Sequence, residues 1–279
     1  MAEREFGRGG PRVPVIGQGT WGIDAGPRDQ AVAALRAGLD AGLTHIDTAE
    51  MYGGAEAIVG EAIAGRRDAV FLVSKVVPDH ATRAGVVKAC EASLGRLGTD
   101  RLDCYLLHWP GRHPLAETIA GFEDLKAAGK ILAWGVSNCD VAELDEALRI
   151  AGPGVIACNQ VLYHLGQRAI EHAVIPWCRA NGVAVVGYSP FGSGSFPRPA
   201  TTGGRVLAKV AARHRTTPYA VALAFLTRLE GVFTIPKTAR ADRAVENAAG
   251  AALVLDRDDL MAIDAAFPRG TQPRSLPML

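Results

Sequence analysis

Short apolar runs alternate with amphipathic segments along the chain, and each kind predicts a different element. Eight of the apolar runs are rich in Val, Ile and Leu and have the length of a β-strand. They lie at residues 13–17, 44–47, 70–75, 103–108, 132–137, 155–160, 183–188 and 232–236. Several, including VFLVS and VAVVGY, are apolar at consecutive positions, which is typical of parallel strands covered on both faces.

Segments with the period of an amphipathic helix follow most of these strands. They lie at residues 30–41, 55–64, 83–97, 115–128, 141–150 and 170–181. Asp140 is a good N-cap for the helix that begins at Val141, and glycines follow four of the helices, at positions 42, 98, 129 and 182. These capping residues support the helix assignments.

The repeated order strand, loop, helix predicts an α/β fold, a closed (β/α)8 TIM barrel. Length alone leaves one or two domains open, but no linker divides the chain, so we expect residues 1–279 to form a single domain. The last interval between strands is longer than the others. It contains the stretch SPFGSGSFPRPATTGG, an additional helix near residues 205–214 and a regular helix at about 218–230.

Composition and charge exclude several classes of function. Lys and Arg number 30 against 29 Asp and Glu, which leaves a net charge of +1 and no basic run for nucleic acid or a membrane surface. No apolar stretch approaches the roughly 18 residues of a membrane span, and the N-terminus has no signal peptide pattern. The five cysteines lack C-x-x-C spacing and the seven histidines lack ligand spacing, so we expect reduced thiols, a cytoplasmic protein and no metal site.

Four ionisable residues lie at or just beyond the ends of three consecutive predicted strands: Asp47, Tyr52, Lys75 and His108. Each alone has a structural explanation, as a turn former, a loop aromatic, a lysine that reaches solvent and a core histidine. The carboxyl ends of barrel strands meet at one face, where barrel enzymes have their active sites. We therefore expect the four side chains in one pocket.

Together these four groups suit proton transfer at a carbonyl. A phenol with a pKa of about 10 is a poor acid near neutral pH unless a cation stabilises its phenolate, and Lys75 can be that cation. Asp47 would neutralise and orient Lys75, and His108 would donate a hydrogen bond to the carbonyl oxygen. Tyr52 is then the candidate general acid.

The chain resembles the aldo-keto reductases, in order, over nearly its whole length. The resemblance rests on GTWG (19–22), HIDTAEMYGGAEAIVG (45–60), VSK (73–75), LGRLGTDRLDCYLLHWP (94–110), GVSN (135–138), NQ (159–160), GYSP (187–190) and IPKTARADRAVENAAG (235–250). It implies that Asp47, Tyr52, Lys75 and His108 form a catalytic tetrad that reduces aldehydes or ketones to alcohols. It also implies a monomer.

Reduction of a carbonyl requires an electron source, which amino acid side chains do not supply. A G-x-G-x-x-G pattern occurs at Gly17, Gly19 and Gly22, but IDAGPRD follows it where a dinucleotide fingerprint opens into a helix, so we do not interpret it as a Rossmann motif. The resemblance instead implies NADP(H) lying across the barrel mouth. The implied cofactor-binding residues are Gly19, Thr20, Trp21, Ser137, Asn138, Gln160, Tyr188, Ser189, Pro190, Gly192, Ser193, Lys237, Thr238, Arg243, Glu246 and Asn247.

Two parts of this set decide how the phosphates are held. Lys237, Thr238 and Arg243 offer two cations and a hydroxyl near a helix start, which favours the 2′-phosphate of NADPH over NADH. The SPFGSGS stretch offers backbone N–H groups to the pyrophosphate. The structural alternatives are a helix cap with solvated charges and a flexible loop.

The residues expected to line the substrate pocket are Trp21, Val77, Trp109 and Phe191. Many family members have an aromatic residue where this chain has Val77 and a Glu where it has Leu162, so we expect a reshaped pocket. The stretch after Phe267 is short and Pro-rich, which predicts an open site that accepts many aldehydes and ketones.

Two other functions remain possible from the residues alone. Lys75 at a strand end could form a Schiff base as in barrel aldolases, although a neighbouring Asp47 would raise its pKa and oppose this. A cofactor-bound sensor or binding protein of the same fold is the second alternative.

Overall fold

The computed structural model describes residues 2–279 and contains eight parallel strands in one curled sheet. A two-stranded antiparallel hairpin precedes this sheet and consists of β1 (Glu3–Glu5) and β2 (Arg12–Pro14). The strands of the sheet are β3 (Gln18–Gly19), β4 (His45–Asp47), β5 (Phe71–Val76), β6 (Leu102–Leu107), β7 (Ile131–Ser137), β8 (Ile156–Leu162), β9 (Ala184–Tyr188) and β10 (Val232–Thr234). They are hydrogen-bonded in sequence order, from β3 to β10.

The sheet closes on itself between its first and last strands. Parallel bridges join Ile16 to Thr234 and Gly19 to Lys237. The Gly17 amide donates to the Thr234 carbonyl at 2.8 Å, and the Thr234 amide donates to the Val15 carbonyl at 2.9 Å. The predicted (β/α)8 barrel is therefore confirmed.

Within residues 2–279, ten α-helices surround or follow the strands. They are α1 (Arg28–Asp40), α2 (Ala55–Ile63), α3 (Arg83–Leu97), α4 (Leu115–Ala127), α5 (Val141–Ala151), α6 (Val174–Asn181), α7 (Thr202–Arg213), α8 (Pro218–Leu226), α9 (Ala241–Gly250) and α10 (Arg257–Ala266). The sequence predicted the first eight to within a few residues, and α6 is preceded by a short 3-10 turn at Ala169–Glu171. For α9 it predicted only a helix start near Lys237, Thr238 and Arg243, and it did not predict α10, which follows the last βα unit and packs against α7.

Capping residues fix the ends of these helices. The Asp140 side chain accepts a hydrogen bond from the backbone at the start of α5, and the Asp140 amide donates to Glu143 Oε2 at 2.9 Å, so the predicted N-cap forms a complete capping box. Gly98 ends α3 with φ 62°, a left-handed conformation that glycine adopts without steric strain.

The predicted first strand was wrong in its position. Residues 12–14 form the second strand of the N-terminal hairpin, and the first strand of the barrel sheet, β3, begins at Gln18. The reason is that the apolar side chains near Val13 close the bottom of the barrel, with Phe6 at their centre. The Phe6 ring lies 4.7 Å from the Phe71 ring and 5.1 Å from the Phe233 ring, between centroids.

Alternate residues of each strand enter two separate cores. Val73 and Cys104 lie in the cluster inside the barrel, whereas their neighbours Leu72 and Tyr105 lie in the larger cluster between the sheet and the helices. This alternation follows from the two-residue period of a strand. It also turns Asp47 and Lys75 toward the barrel interior, two positions above His45 and Val73.

His45 is a buried imidazole in the lower part of the barrel. Its ring packs edge-on against Phe6 and Phe71, and among residues 2–279 neither of its nitrogens has a hydrogen-bond partner. Burial, and secondarily the charge of Lys75, lowers the pKa of His45 from 6.5 to about 3. The imidazole is therefore neutral in the folded protein.

We expect this histidine to make the fold sensitive to acid. Because its pKa is lower in the folded chain than in the unfolded chain, its contribution is complete above pH 6.5 and is lost as the pH falls toward 3. At pH 5 the loss amounts to about 2 kcal/mol of the free energy of unfolding. Urea unfolding at pH 7 and pH 5 should show a smaller change for His45→Leu than for the wild type, and parallel changes would contradict this expectation.

Candidate active site

The four residues expected to form a tetrad lie together at the carboxyl ends of the strands. Asp47 ends β4, Lys75 lies near the end of β5, His108 follows β6, and Tyr52 lies in the loop before α2. Lys75 Nζ is 2.5 Å from Asp47 Oδ1 and 3.4 Å from the Tyr52 hydroxyl. His108 Nε2 is 3.3 Å from the same hydroxyl. The Tyr52 hydroxyl is therefore shared between an ammonium and an imidazole.

Lys75 is fully buried, so its charge depends entirely on its neighbours. Besides Asp47, its ammonium donates to the Thr48 carbonyl at 2.9 Å. Burial lowers the pKa of Lys75, but Asp47 and Tyr52 together outweigh burial and raise it. The lysine stays protonated, which disfavours the free amine that a Schiff base requires.

Burial raises the pKa of Tyr52, while the nearby positive charge of Lys75 opposes that increase. The net increase keeps Tyr52 as the neutral phenol at neutral pH, ready to donate its proton. Lys75 Nζ also lies 4.9 Å from the centre of the Tyr52 ring. It is close enough to stabilise the phenolate that proton donation leaves behind.

His108 is neutral in this environment. Burial, and secondarily Lys75, lowers the pKa of His108 from 6.5 to about 3. Its backbone carbonyl accepts a hydrogen bond from Asn138 Nδ2 at 3.1 Å. A neutral imidazole carries one N–H, so when Nε2 is protonated it can donate to an oxygen placed beside Tyr52.

Gln160 connects the tetrad to the residues expected around the nicotinamide. Its Nε2 donates to Asp47 Oδ2 at 2.7 Å, and its backbone carbonyl accepts from Ser137 Oγ at 2.8 Å. Sequence reasoning assigned Gln160 to the cofactor alone and missed this contact. Gln160 and Asp47 lie 113 residues apart, so no short sequence pattern indicates that they are in contact.

The GTWG segment supports the tetrad as well as the barrel. Thr20 Oγ1 donates to the Asp47 carbonyl at 2.9 Å. A Cβ on Gly19 would lie 2.7 Å from the Ile235 carbonyl, so the glycine permits close approach of the first and last strands. Trp21, which follows Thr20 in this segment, is 58% exposed.

Tyr188, expected to stack on the nicotinamide, is held by two contacts at the end of β9. Its hydroxyl donates to Asn138 Oδ1 at 2.9 Å, and Asn138 itself has a left-handed backbone with φ 58°. The Leu279 backbone is the second contact, and it opposes the increase that burial causes in the pKa of this tyrosine. The C-terminal stretch, which we expected to contribute little, therefore returns to the barrel mouth.

The loop after β9 has an unusual backbone conformation. Ser189, Gly192 and Ser193 all have positive φ, of 52°, 69° and 48°. Left-handed residues in such a loop can turn successive N–H groups toward one point, which forms an anion-binding concavity. This conformation fits the pyrophosphate role expected for the loop, in which Pro190 is buried.

The residues expected at the adenosine end lie after β10 and on α9. Lys237 is exposed, and Thr238 Oγ1 accepts from the Arg240 amide at 3.1 Å. Arg243 pairs with Glu246 Oε2, while Glu246 Oε1 is buried and has no partner among residues 2–279. An unpaired buried acceptor fits an amino group such as that of adenine. The residue after Glu246, Asn247, is also buried.

Of the expected substrate-pocket residues, Trp109 packs against a tetrad residue, and Val77 contacts the loop between Asp47 and Tyr52. The Trp109 ring lies 4.9 Å from the His108 ring, and the Val77 amide donates to Glu50 Oε1 at 2.7 Å. Glu50 was not among the predicted site residues, nor was Met51, which is half exposed next to Tyr52.

Phe191, the remaining candidate for the pocket wall, lies in an aromatic cluster that sequence reasoning missed. Its ring is 5.1 Å from Tyr219 and 5.7 Å from Phe196, between centroids. The Arg243 guanidinium lies 5.6 Å from the centre of the Tyr219 ring. Through Tyr219, these contacts connect Phe191 to Arg243 at the expected adenosine end.

In the described part of the chain, no group of His, Cys, Asp or Glu side chains has an arrangement that could hold a metal ion. The five cysteines are buried and free. No helix among residues 2–279 is long and apolar enough to cross a membrane.

Comparison with known proteins gives consistent matches. A family model described as the aldo/keto reductase family matches residues 15–267. Methylglyoxal reductase YeaE of Escherichia coli K12 is 46% identical over 271 residues, which cover 96% of this chain and 95% of that protein. Glyoxal reductase of Bacillus subtilis is 32% identical, with 92% of this chain and 90% of that protein covered.

Solved structures agree with these sequence matches. An aldo-keto reductase from Klebsiella pneumoniae in complex with NADPH superposes with a TM-score of 0.91 at 45% identity, and both chains are covered completely. An aldo/keto reductase from the same organism in complex with NADP and acetate gives a TM-score of 0.92 at 44% identity, again with full coverage of both chains.

We expect the His108 imidazole to remain neutral throughout the physiological pH range, because burial and Lys75 lower its pKa to about 3. Its ring NMR shifts, assigned with the His108→Gln variant, should not change between pH 8 and about pH 5. An inflection near the ordinary histidine pKa would show that the ring is solvated and would contradict the packing described above.

Proposed function

This chain belongs to the aldo/keto reductase family, and we propose that its preferred substrates are small reactive aldehydes of the methylglyoxal type. It is an NADPH-dependent oxidoreductase that reduces carbonyl groups to alcohols. The observation that carries the proposed mechanism is the Tyr52 hydroxyl, which lies 3.4 Å from Lys75 Nζ and 3.3 Å from His108 Nε2.

In the proposed mechanism Tyr52 is the general acid. When bound, NADPH supplies the hydride that reduces the carbonyl carbon. The Tyr52 O–H bond breaks as its proton moves to the carbonyl oxygen, and Lys75 stabilises the resulting phenolate until solvent returns a proton. His108 orients the carbonyl oxygen by a hydrogen bond, while Asp47 keeps Lys75 charged and in place.

The cofactor would be held along the barrel mouth by the residues described above. The nicotinamide end would lie beside Gly19, Thr20 and Trp21. Its carboxamide would bind Ser137, Asn138 and Gln160, and its ring would stack on Tyr188. Ser189, Pro190, Gly192 and Ser193 would surround the pyrophosphate. Lys237, Thr238 and Arg243 would bind the 2′-phosphate, with Glu246 and Asn247 at the adenine.

Two observations support a small aldehyde as substrate. Relatives that match most of this chain are named methylglyoxal reductase and glyoxal reductase. The pocket would be bounded by Trp21, Val77, Trp109 and Phe191, of which Val77 is small for a wall residue. Trp21 is largely exposed, which suits a mouth that admits small substrates freely.

We further propose that residues 1–279 act as one catalytic domain, as a monomer in the cytoplasm. Five free, buried cysteines suit a reducing compartment. The tetrad comes entirely from one chain, from β4, the following loop, β5 and the residue after β6. Light scattering should give the mass of a single chain.

Tyr52→Phe tests the proposed acid directly, since it removes the hydroxyl and keeps the ring. We expect the rate of NADPH oxidation with methylglyoxal to fall roughly 10²- to 10⁴-fold, the usual contribution of a general acid. The absorbance at 340 nm measures the rate, and quenching of protein fluorescence verifies that the variant still binds NADPH. A variant that retains most of its activity would refute the role of Tyr52.

Arg243→Ala tests the proposed 2′-phosphate site. Loss of a charge-assisted contact should raise the KM for NADPH roughly 10- to 100-fold and leave the KM for NADH nearly unchanged. Arg240→Ala is the matched control, because Arg240 is exposed on the same segment and pairs with Asp242. Equal effects of the two substitutions would contradict a specific role for Arg243.

A further inference from the structure

A buried carboxylate lies on the helix side of the strand that carries Lys75. Glu56 is in the first turn of α2, and its side chain is only 1% exposed. Ser74 Oγ donates to Glu56 Oε1 at 2.6 Å, and Arg96 Nε donates to Glu56 Oε2 at 2.5 Å. One side chain therefore joins α2, β5 and α3.

The Glu56 to Ser74 hydrogen bond links the same two segments that bring the Tyr52 hydroxyl to Lys75. Ser74 immediately precedes Lys75, and successive strand residues point to opposite faces, so Ser74 faces the helices while Lys75 faces the barrel interior. Tyr52 lies four residues before Glu56, and the Ala55 amide donates to the Tyr52 carbonyl at 3.0 Å. The loop of Tyr52 thus runs directly into the helix that Glu56 fixes to β5.

A buried carboxylate is a costly way to pack a helix on a strand, since apolar groups of similar shape often stabilise a fold at least as well. Its hydrogen bonds, however, fix direction and distance more closely than apolar contacts do. Arg96, which is partly exposed, balances the charge and also contacts Ser93 Oγ at 3.1 Å. The arrangement is therefore suited to holding α2 in one position on β5.

We propose that Glu56 is a positioning residue for carbonyl reduction, which sets the distance between the Tyr52 hydroxyl and Lys75 Nζ through Ser74. The inference rests on the roles of Tyr52 and Lys75 under the proposed function. The attraction between an ammonium and a phenolate weakens as their separation grows. Without the Glu56 contact, Lys75 stabilises the Tyr52 phenolate less, and Tyr52 becomes a weaker acid.

Ser74→Ala removes the contact with β5 at little cost in volume. We expect the single-turnover rate of NADPH oxidation with methylglyoxal to fall roughly threefold to tenfold, and KM to change by less than about twofold. The loss of rate at alkaline pH, where the Tyr52 proton is lost, should shift to higher pH. Thr118→Val is the matched control, because Thr118 also loses a buried hydroxyl bond, of 2.7 Å to the Ala81 carbonyl, outside the site.

Glu56→Gln and Glu56→Leu provide a second comparison that separates positioning from folding. Glutamine keeps an oxygen that can accept from Ser74, so it should restore most of the rate and the alkaline limb that leucine loses. Ser74→Ala behaving like Thr118→Val, with an unchanged pH profile, would overturn the proposal, as would equal rates for the two Glu56 variants. If Tyr52→Phe itself left the rate unchanged, the proposed function would fail first, so the two failures are distinguishable.

Discussion

A lysine ammonium without contact to water is the constraint on which the active end of this barrel depends. Lys75 is fully buried, and such a charge is tolerated only where opposite charge and acceptors surround it. Asp47 supplies the charge at 2.5 Å and the Thr48 carbonyl a further acceptor. Asp47 must in turn be held, and Gln160 and Thr20 bind its carboxylate and its backbone carbonyl. The residues that stabilise this one cation therefore lie in or next to β3, β4, β5 and β8.

The barrel satisfies this constraint with its register. β4 and β5 are neighbouring strands, and Asp47 is paired with Val73. Lys75 lies two residues after Val73 on the same face of β5, so its side chain extends back to Asp47. β6 pairs Leu106 with Lys75, and His108, two residues further on, has its Nε2 3.3 Å from the Tyr52 hydroxyl. A shift of one residue between β4 and β5 would turn Lys75 to the helix side, where Ser74 lies now. The register of the barrel strands is therefore needed for the active site as well as for the fold.

Much of this arrangement could be predicted from the sequence, because the signals involved are local. Apolar runs mark the strands, and polar residues at their ends mark the site, so Asp47, Tyr52, Lys75 and His108 were correctly expected to lie together. The position of the first strand was not predictable from apolarity, since Val13 closes the barrel bottom rather than entering a barrel strand. The contact of Gln160 with Asp47 and the return of Leu279 to Tyr188 join residues far apart in the chain, and no spacing rule reveals them.

His45 and His108 lie on either side of Lys75, and the same physical cause keeps both imidazoles neutral. Burial, assisted by Lys75, lowers the pKa of both His45 and His108 to about 3. At the bottom of the barrel His45 packs among Phe6 and Phe71 with no hydrogen bonds among residues 2–279, so its neutrality only permits dense packing. At the mouth, the same neutrality leaves His108 able to bond to an oxygen beside Tyr52 without competing as an acid. Lys75, which is placed to stabilise the Tyr52 phenolate, thus also adds to the effect of burial that keeps the neighbouring imidazole neutral.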